Sequence, residues 1–146
     1  MVSRNTIPGT IYQGGSQIVQ GKATDTTIYK GSLMQNAGGK DSGTTVKDGG
    51  VYELGRKATD SPGYPYQYYG TASASDLTVE ADGRAEVYAG TLTGATVSGA
   101  NASLTLMTPQ TKTADGDLPL SLTGQVSVTG GGRLVSQRGA DISATG

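Results

Sequence analysis

The chain has 146 residues, of which 24 are Gly, 13 Ser and 20 Thr, with 34% hydrophobic and 16% charged residues and no Cys, His, Trp or Phe. That composition excludes a broad core filled by Leu and Phe, a disulfide scaffold, a thiolate nucleophile and the usual imidazole base or zinc ligand. The net charge is −1 and the 11 basic residues are scattered singly, so no stripe that would track phosphates is present and nucleic acid is not an expected partner.

Apolar runs fall far short of the roughly 20 residues of a membrane helix, so no membrane insertion of this segment is expected. Met1-Val2-Ser3-Arg4 opens no signal peptide, and any export signal or anchor is expected outside the chain.

Taken in order, the candidate strands repeat. A Thr or Ser followed by Ile or Val occurs at Thr10-Ile11, Thr27-Ile28, Thr45-Val46, Thr78-Val79, Thr96-Val97 and Ser127-Val128. The branched residues are separated by 17, 18, 33, 18 and 31 positions, a period near 18 in which the two long gaps read as two turns each. Four residues after each Ile or Val stands Gly15, Ser32, Gly50, Gly83, Asn101 or Gly132, a place for a tight left-handed turn. A second short apolar cluster follows, for example Ile18-Val19 or Val51 to Leu54, and then a second glycine turn such as Gly21, Gly55 or Gly90.

Two short strands per repeat cannot bury anything alone, but stacked copies can. Alternation of apolar residues with Thr, Ser, Lys or Glu suits strands and not helices. The sequence therefore predicts an all-β fold, a right-handed parallel β-helix (β-solenoid) of about seven rungs, forming a single unit over 1–146. Ile11, Ile28, Val46, Val79, Val97 and Val128 would stack inward, and the preceding hydroxyl residues would form an outward ladder, with Tyr12 and Tyr29 stacked beside it.

Two irregular segments, about 61–72 and 108–122, interrupt the period. The first holds Tyr64, Tyr66, Tyr68 and Tyr69, with Pro62 and Pro65 to stiffen it. These rings either cover the flank of the rod or bind a partner through flat apolar faces with polar tips. In the second, Asp115-Gly116-Asp117 lacks the other oxygen ligands of a calcium loop and reads as a polar turn.

Many parallel β-helices act on polysaccharides with only carboxylates and basic residues, and Glu80, Asp82 and Glu86 with Arg84 between them are the best catalytic candidates here. Charged residues pointing outward also keep a repeat rod soluble, and no carboxylate is expected at an otherwise apolar position. No enzyme activity, cofactor or metal is therefore expected.

The stretch from Thr10 through Gly14-Gly15, Gln17-Ile18-Val19, Gly21, Ala23 and Thr26-Thr27-Ile28 resembles the repeat of AIDA-type autotransporter adhesins. The likeness continues through Thr45-Val46-Lys47-Asp48-Gly49-Gly50, is clear over about 9–60 and becomes diffuse afterwards; Asp41 stands where the repeat usually has Ala. The resemblance implies a passenger fragment displayed on the surface of a Gram-negative cell and anchored through a β-barrel outside this chain. It implies adhesion, autoaggregation and biofilm growth, with the partner either the same protein on a neighbouring cell or a host-cell receptor or glycan. By the same analogy, Thr10, Thr27, Thr45, Thr78, Thr96 and Ser127 are candidate acceptors of O-linked heptose from a heptosyltransferase. A structural spacer and a glycan-binding module are the alternative roles.

Overall fold

The computed structural model describes residues 2–3, 7–11, 15–28, 31–61, 64–69, 71–107 and 120–136. In chain order the strands are β1 (Val2–Ser3), β2 (Ile7–Ile11), β3 (Ser16–Val19), β4 (Lys22–Ile28), β5 (Leu33–Asn36), β6 (Lys40–Ser42), β7 (Thr45–Val46) and β8 (Val51–Leu54). They continue with β9 (Arg56–Ser61), β10 (Tyr64–Tyr68), β11 (Ser73–Val79), β12 (Arg84–Val87), β13 (Gly90–Ser98), β14 (Ser103–Leu106), β15 (Leu120–Thr129) and β16 (Arg133–Ser136).

Fourteen of these strands make two seven-stranded sheets between which the chain alternates. Sheet 1 runs β1-β3-β5-β8-β12-β14-β16, and sheet 2 runs β15-β13-β11-β6-β4-β2 with β7 beside β4 and β11. Neighbours within both sheets are parallel. The described residues are thus all-β and free of helix, in an arrangement compatible with a β-helix or solenoid.

The backbone register joins the residues that the sequence period singles out. Thr10, Thr27, Thr45, Thr78, Thr96 and Ser127 are successive partners, as are Ile11, Ile28, Val46, Val79, Val97 and Val128. Ile28, Val46, Val79 and Val97 are fully buried between the sheets, and Val128 is half-buried.

One expectation is corrected. Val46 pairs directly with Val79 and Val97 with Val128, so each long gap is a single step of the stack carrying an insertion, and not two turns. The first insertion is the antiparallel hairpin of β9 and β10, closed at its base by the Tyr69 amide donating to the Gly55 carbonyl at 2.7 Å. Residues 108–119, with Asp115 and Asp117, lie outside the described residues, as do Tyr12 and Tyr29.

The turn glycines have two separate jobs. Positive φ falls on the place read from sequence at Asn101, and one residue before it at Gly31, Gly49, Asp82 and Gly131. Gly50, Gly83 and Gly132 instead lie hard against the carbonyl ends of Ile28, Val46 and Val97 on the preceding strand, so the absence of a Cβ there is a matter of space. The turn after β13 has one residue more, which moves the equivalent position from Asn101 to Ala102.

A second expectation fails inside the core. Asp41 pairs with Ala23 on one side and Ala74 on the other, faces the interior, and is 1% exposed, so a carboxylate does occupy an apolar column. It survives because its neighbours supply donors. Tyr52 Oη donates to Oδ2, Thr44 Oγ1 donates to Oδ1 at 2.9 Å, and Asn36 Nδ2 donates to Oδ2 at 3.2 Å. Asn36 is itself fixed, donating from Nδ2 to the Ser73 carbonyl at 2.9 Å and accepting from the Gly39 amide at 2.8 Å. Burial nonetheless dominates these bonds and lifts the Asp41 pKa from 3.8 to about 6. Burial likewise raises the Tyr52 phenol, with the Asp41 charge adding to it.

Candidate functional site

The outer face of sheet 2 is a field of hydroxyls, because the inward partners of each strand are aliphatic and the alternate positions must meet water. Thr27, Thr45, Thr78 and Ser127 are half-buried and Thr96 is exposed; Thr10 joins the column through its backbone, and its side chain lies outside the described residues. A second hydroxyl column, Thr24, Ser42, Ser75, Thr93 and Thr123, runs parallel to the first. Within it Thr93 Oγ1 and Thr123 Oγ1 are 2.9 Å apart, and further along the strands Thr129 Oγ1 donates to Ser98 Oγ at 3.1 Å.

Between the two hydroxyl columns every strand of sheet 2 from β4 to β15 makes the same left-handed kink, at Asp25, Gly43, Asp76, Gly94 and Gly124 in successive registers. Asp tolerates this backbone better than most residues and Gly tolerates it best. Adjacent aspartates in the column would face each other at roughly 4.8 Å, and the intervening Gly43 doubles that to roughly 10 Å, about a screening length at physiological salt. The signal was present in the sequence as an Asp or Gly two residues before Thr27, Thr45, Thr78 and Thr96.

On the flank of the stack the tyrosine segment folds back onto the chain. Tyr68 is 7% exposed, its ring 6.0 Å from that of Tyr88, while Tyr66 and Tyr69 are half-buried and Tyr69 packs against the core. Burial raises the Tyr69 phenol. Tyr64 belongs to β10, and its side chain lies outside the described residues.

Sequence reading missed the residue that organises this flank. The Arg56 guanidinium lies between two rings, 3.8 Å from the centroid of Tyr66 and 3.8 Å from that of Tyr88. It donates twice to Glu53, from Nη2 to Oε2 at 2.7 Å and from Nε to Oε1 at 3.1 Å. Glu53 also accepts from Gln35 Nε2 at 2.7 Å. Burial pulls the Arg56 pKa down, but the bonds and charge of Glu53 overcome it and leave the group above its ordinary value.

The sandwich locks the hairpin to sheet 1. Arg56→Ala is expected to leave the two sheets folded, to lower stability by about 1–2 kcal/mol, and to speed chymotrypsin cleavage within β10 several-fold. Cleavage at the wild-type rate would show that the hairpin is held by something else.

The carboxylates weighed for catalysis do not converge. Glu80 and Asp82 are exposed in the turn after β11, with Asn101 Nδ2 donating to Asp82 Oδ1 at 3.2 Å, and Glu86 accepts from Tyr88 Oη at 3.2 Å on the outer face of sheet 1. Among the described residues no group of three or more His, Cys, Asp or Glu is placed to hold a metal ion, and no helix is long and apolar enough to cross a membrane.

The fold and its surface define a stacked parallel β segment with a hydroxyl-rich face and a clamped tyrosine hairpin. The chain is 43% identical over 132 residues to a protein of Escherichia coli K12 named "Probable autotransporter YpjA", and 37% identical over 161 residues to one of Escherichia coli O157:H7 named "Uncharacterized protein YdhQ". Each match covers 89% of this chain, and the chain spans 8% of the first relative and 38% of the second. No family model matches the chain, and no solved structure matches it.

Proposed function

We propose that this chain is a segment of the passenger of an AIDA-type autotransporter adhesin, displayed outside the cell and anchored through an outer-membrane β-barrel elsewhere in the protein. The observation that carries this reading is the 43% identity, across 89% of the chain, to a protein named a probable autotransporter. The stacked register supports it, since a repeat that buries its core only against its own copies suits a long rod. The coil is right-handed with about seven rungs; parallel strands joined by crossovers take that hand in about 98% of cases.

The segment acts in cell adhesion, autoaggregation and biofilm formation. Neighbouring rods zip through ladders of hydroxyls and opposite charges, each pair weak and many acting together. Thr27, Thr45, Thr78, Thr96 and Ser127, with Thr10, are the candidate acceptors of O-linked heptose, and among the described side chains Thr96 is the most open to a transferase. The chain does no catalysis, and the separation of Glu80, Asp82 and Glu86 over a turn and an outer sheet face supports that reading.

A receptor role for Tyr64, Tyr66, Tyr68 and Tyr69 is the second reading, favoured by the placement of the hairpin outside both sheets. Substituting the tyrosines would break the clamp described above, so excision is the cleaner test. Leu54 pairs with Val87 and Ser73 with Thr91, and β12 reaches that Thr91 through only Tyr88, Ala89 and Gly90. Replacing 55–72 by a three-residue link of that kind should therefore preserve the stack.

In a whole protein displayed on non-aggregating cells, exchange of this segment for unrelated rungs is expected to abolish settling, and hairpin excision to leave it intact. Unchanged settling after the exchange would make the segment a spacer. Loss of host-cell binding on excision alone would favour the receptor reading.

A further inference from the structure

The hydroxyl face of sheet 2 is not flat. Around Gly94 it sinks into an open groove of about 240 Å³ between β11, β13 and β15. Its origin is local: Gly94 contributes no side chain, and β15 carries an extra residue at Gly124-Gln125, which shifts the register opposite Gly94. A Cβ built on Gly94 would meet its nearest neighbour, Asp76 Oδ1, only at 3.5 Å, so there is room above the backbone.

The lining is hydrogen-bonding throughout its rim. Asp76 contributes a carboxylate, Thr78, Thr96 and Ser127 contribute hydroxyls, and Gln125 an amide. Asp76 and Thr96 are exposed, and among the described residues the side chains of Asp76, Thr78 and Thr96 have no hydrogen-bond partner, in contrast to the neighbouring pair Thr93 and Thr123.

The chemistry of that set narrows the occupant. Among the described residues no Lys or Arg lines the groove, which disfavours a phosphate, a sulfate or an acidic sugar; one carboxylate without further acidic ligands there is a poor cation cage. Nor, among the described residues, does an aromatic ring line it to anchor an apolar peptide side chain. A carboxylate that accepts from two adjacent hydroxyls, ringed by groups that both donate and accept, matches a neutral polyol. The volume equals that of about eight liquid waters, enough for one sugar ring and less than a drug-sized site.

We propose that the groove around Gly94 on the outer face of sheet 2 binds one neutral hexose ring, the terminal sugar of a glycan, with Asp76 accepting from its vicinal hydroxyls and Thr78 and Thr96 completing the contacts. The site is separate from the tyrosine hairpin; a heptose on Thr78 or Thr96 would fill it, so it belongs to the chain in which those hydroxyls carry no sugar.

The test is saturation-transfer NMR and calorimetry on the purified chain with the methyl glycosides of glucose, galactose and mannose, and with N-acetylneuraminic acid as the charged comparison. At least one neutral glycoside is expected to bind with millimolar affinity. Gly94→Asn fills the groove while tolerating the left-handed backbone, and is expected to weaken binding by about tenfold or more. Asp76→Asn keeps the kink and removes the charge, with an expected loss of about fivefold; Asp25→Asn, on a strand away from the groove, should change nothing. Unfolding midpoints of the variants close to wild type attribute the losses to the site. Absence of transfer to all three neutral glycosides overturns the proposal, as do binding untouched by both groove variants and a preference for N-acetylneuraminic acid.

Discussion

Asp41→Asn is expected to make the chain more stable at neutral pH and to flatten the dependence of its stability on pH. In the fold the Asp41 pKa is raised by burial from 3.8 to about 6, so the folded state holds the proton more tightly than the unfolded state. A raised pKa contributes stability that is fully present below about pH 4 and is lost as pH rises through about 6. With 1.36 kcal/mol per unit, the loss across that window is about 3 kcal/mol.

Asn keeps the shape and has no charge to lose. Its carbonyl oxygen can accept from Tyr52 and Asn36, and its amide can donate to the Thr44 hydroxyl oxygen, so all three contacts of Asp41 are kept, with the Thr44 bond reversed and its proton losing an acceptor, a smaller cost than the buried charge. Urea unfolding between pH 4 and pH 8 checks this. Wild type should lose midpoint relative to the variant as pH rises, and parallel curves for the two would refute the cost of burying this carboxylate. Other carboxylates titrate in the same window, which is why the comparison with the variant carries the argument.

The largest loss of stability is expected from Gly55→Ala. Gly55 has φ +91, a backbone that residues with a Cβ rarely adopt, and its added methyl would run into the carbonyl and amide of Ala89 on the next rung. Both strands are held there by the parallel ladder, with the Gly55 amide donating to the Asn36 carbonyl at 2.8 Å, so neither can retreat. The backbone strain is about 1–2 kcal/mol and the overlap adds as much again, for a loss of about 3 kcal/mol or more.

Gly31→Ala separates the two causes. Gly31 has φ +76 but nothing within 4 Å of the added carbon, so it should cost only the strain, about 1–2 kcal/mol. Thermal melts of the two variants side by side measure the difference, and equal losses would show that the close approach at Gly55 is relieved at little cost.

Much of the stack was legible because it repeats. The pairs Thr27-Ile28, Thr45-Val46, Thr78-Val79 and Thr96-Val97 stand in register, since a β strand places successive side chains on opposite faces and a solenoid sets equal phases above one another. The second glycine turn was equally visible, with Gly38, Gly55 and Gly90 all at positive φ. The left-handed residue of the first turn was placed correctly at Asn101 and misplaced by one at Ser32, Gly50, Gly83 and Gly132, because glycines there serve close approach as well as conformation, and composition does not distinguish the two uses.

What sequence could not show depends on contacts between distant segments. Arg56 is an unremarkable cation until a hairpin brings Tyr66 over one face of it and Tyr88, 32 positions away from Arg56, over the other. The raised pKa of Asp41 comes from its burial, opposed by hydrogen bonds from Asn36, Thr44 and Tyr52, and the groove at Gly94 comes with an extra residue on β15. The sequence by itself determined the all-β character, the parallel stacking phase and the outward hydroxyls, because these follow from local alternation repeated at a fixed spacing. Only the tertiary structure decided that each long gap is an insertion in one step, which carboxylate is buried and where the tyrosines rest, because burial and pairing energies depend on which surfaces meet and not on the order of residues along the chain.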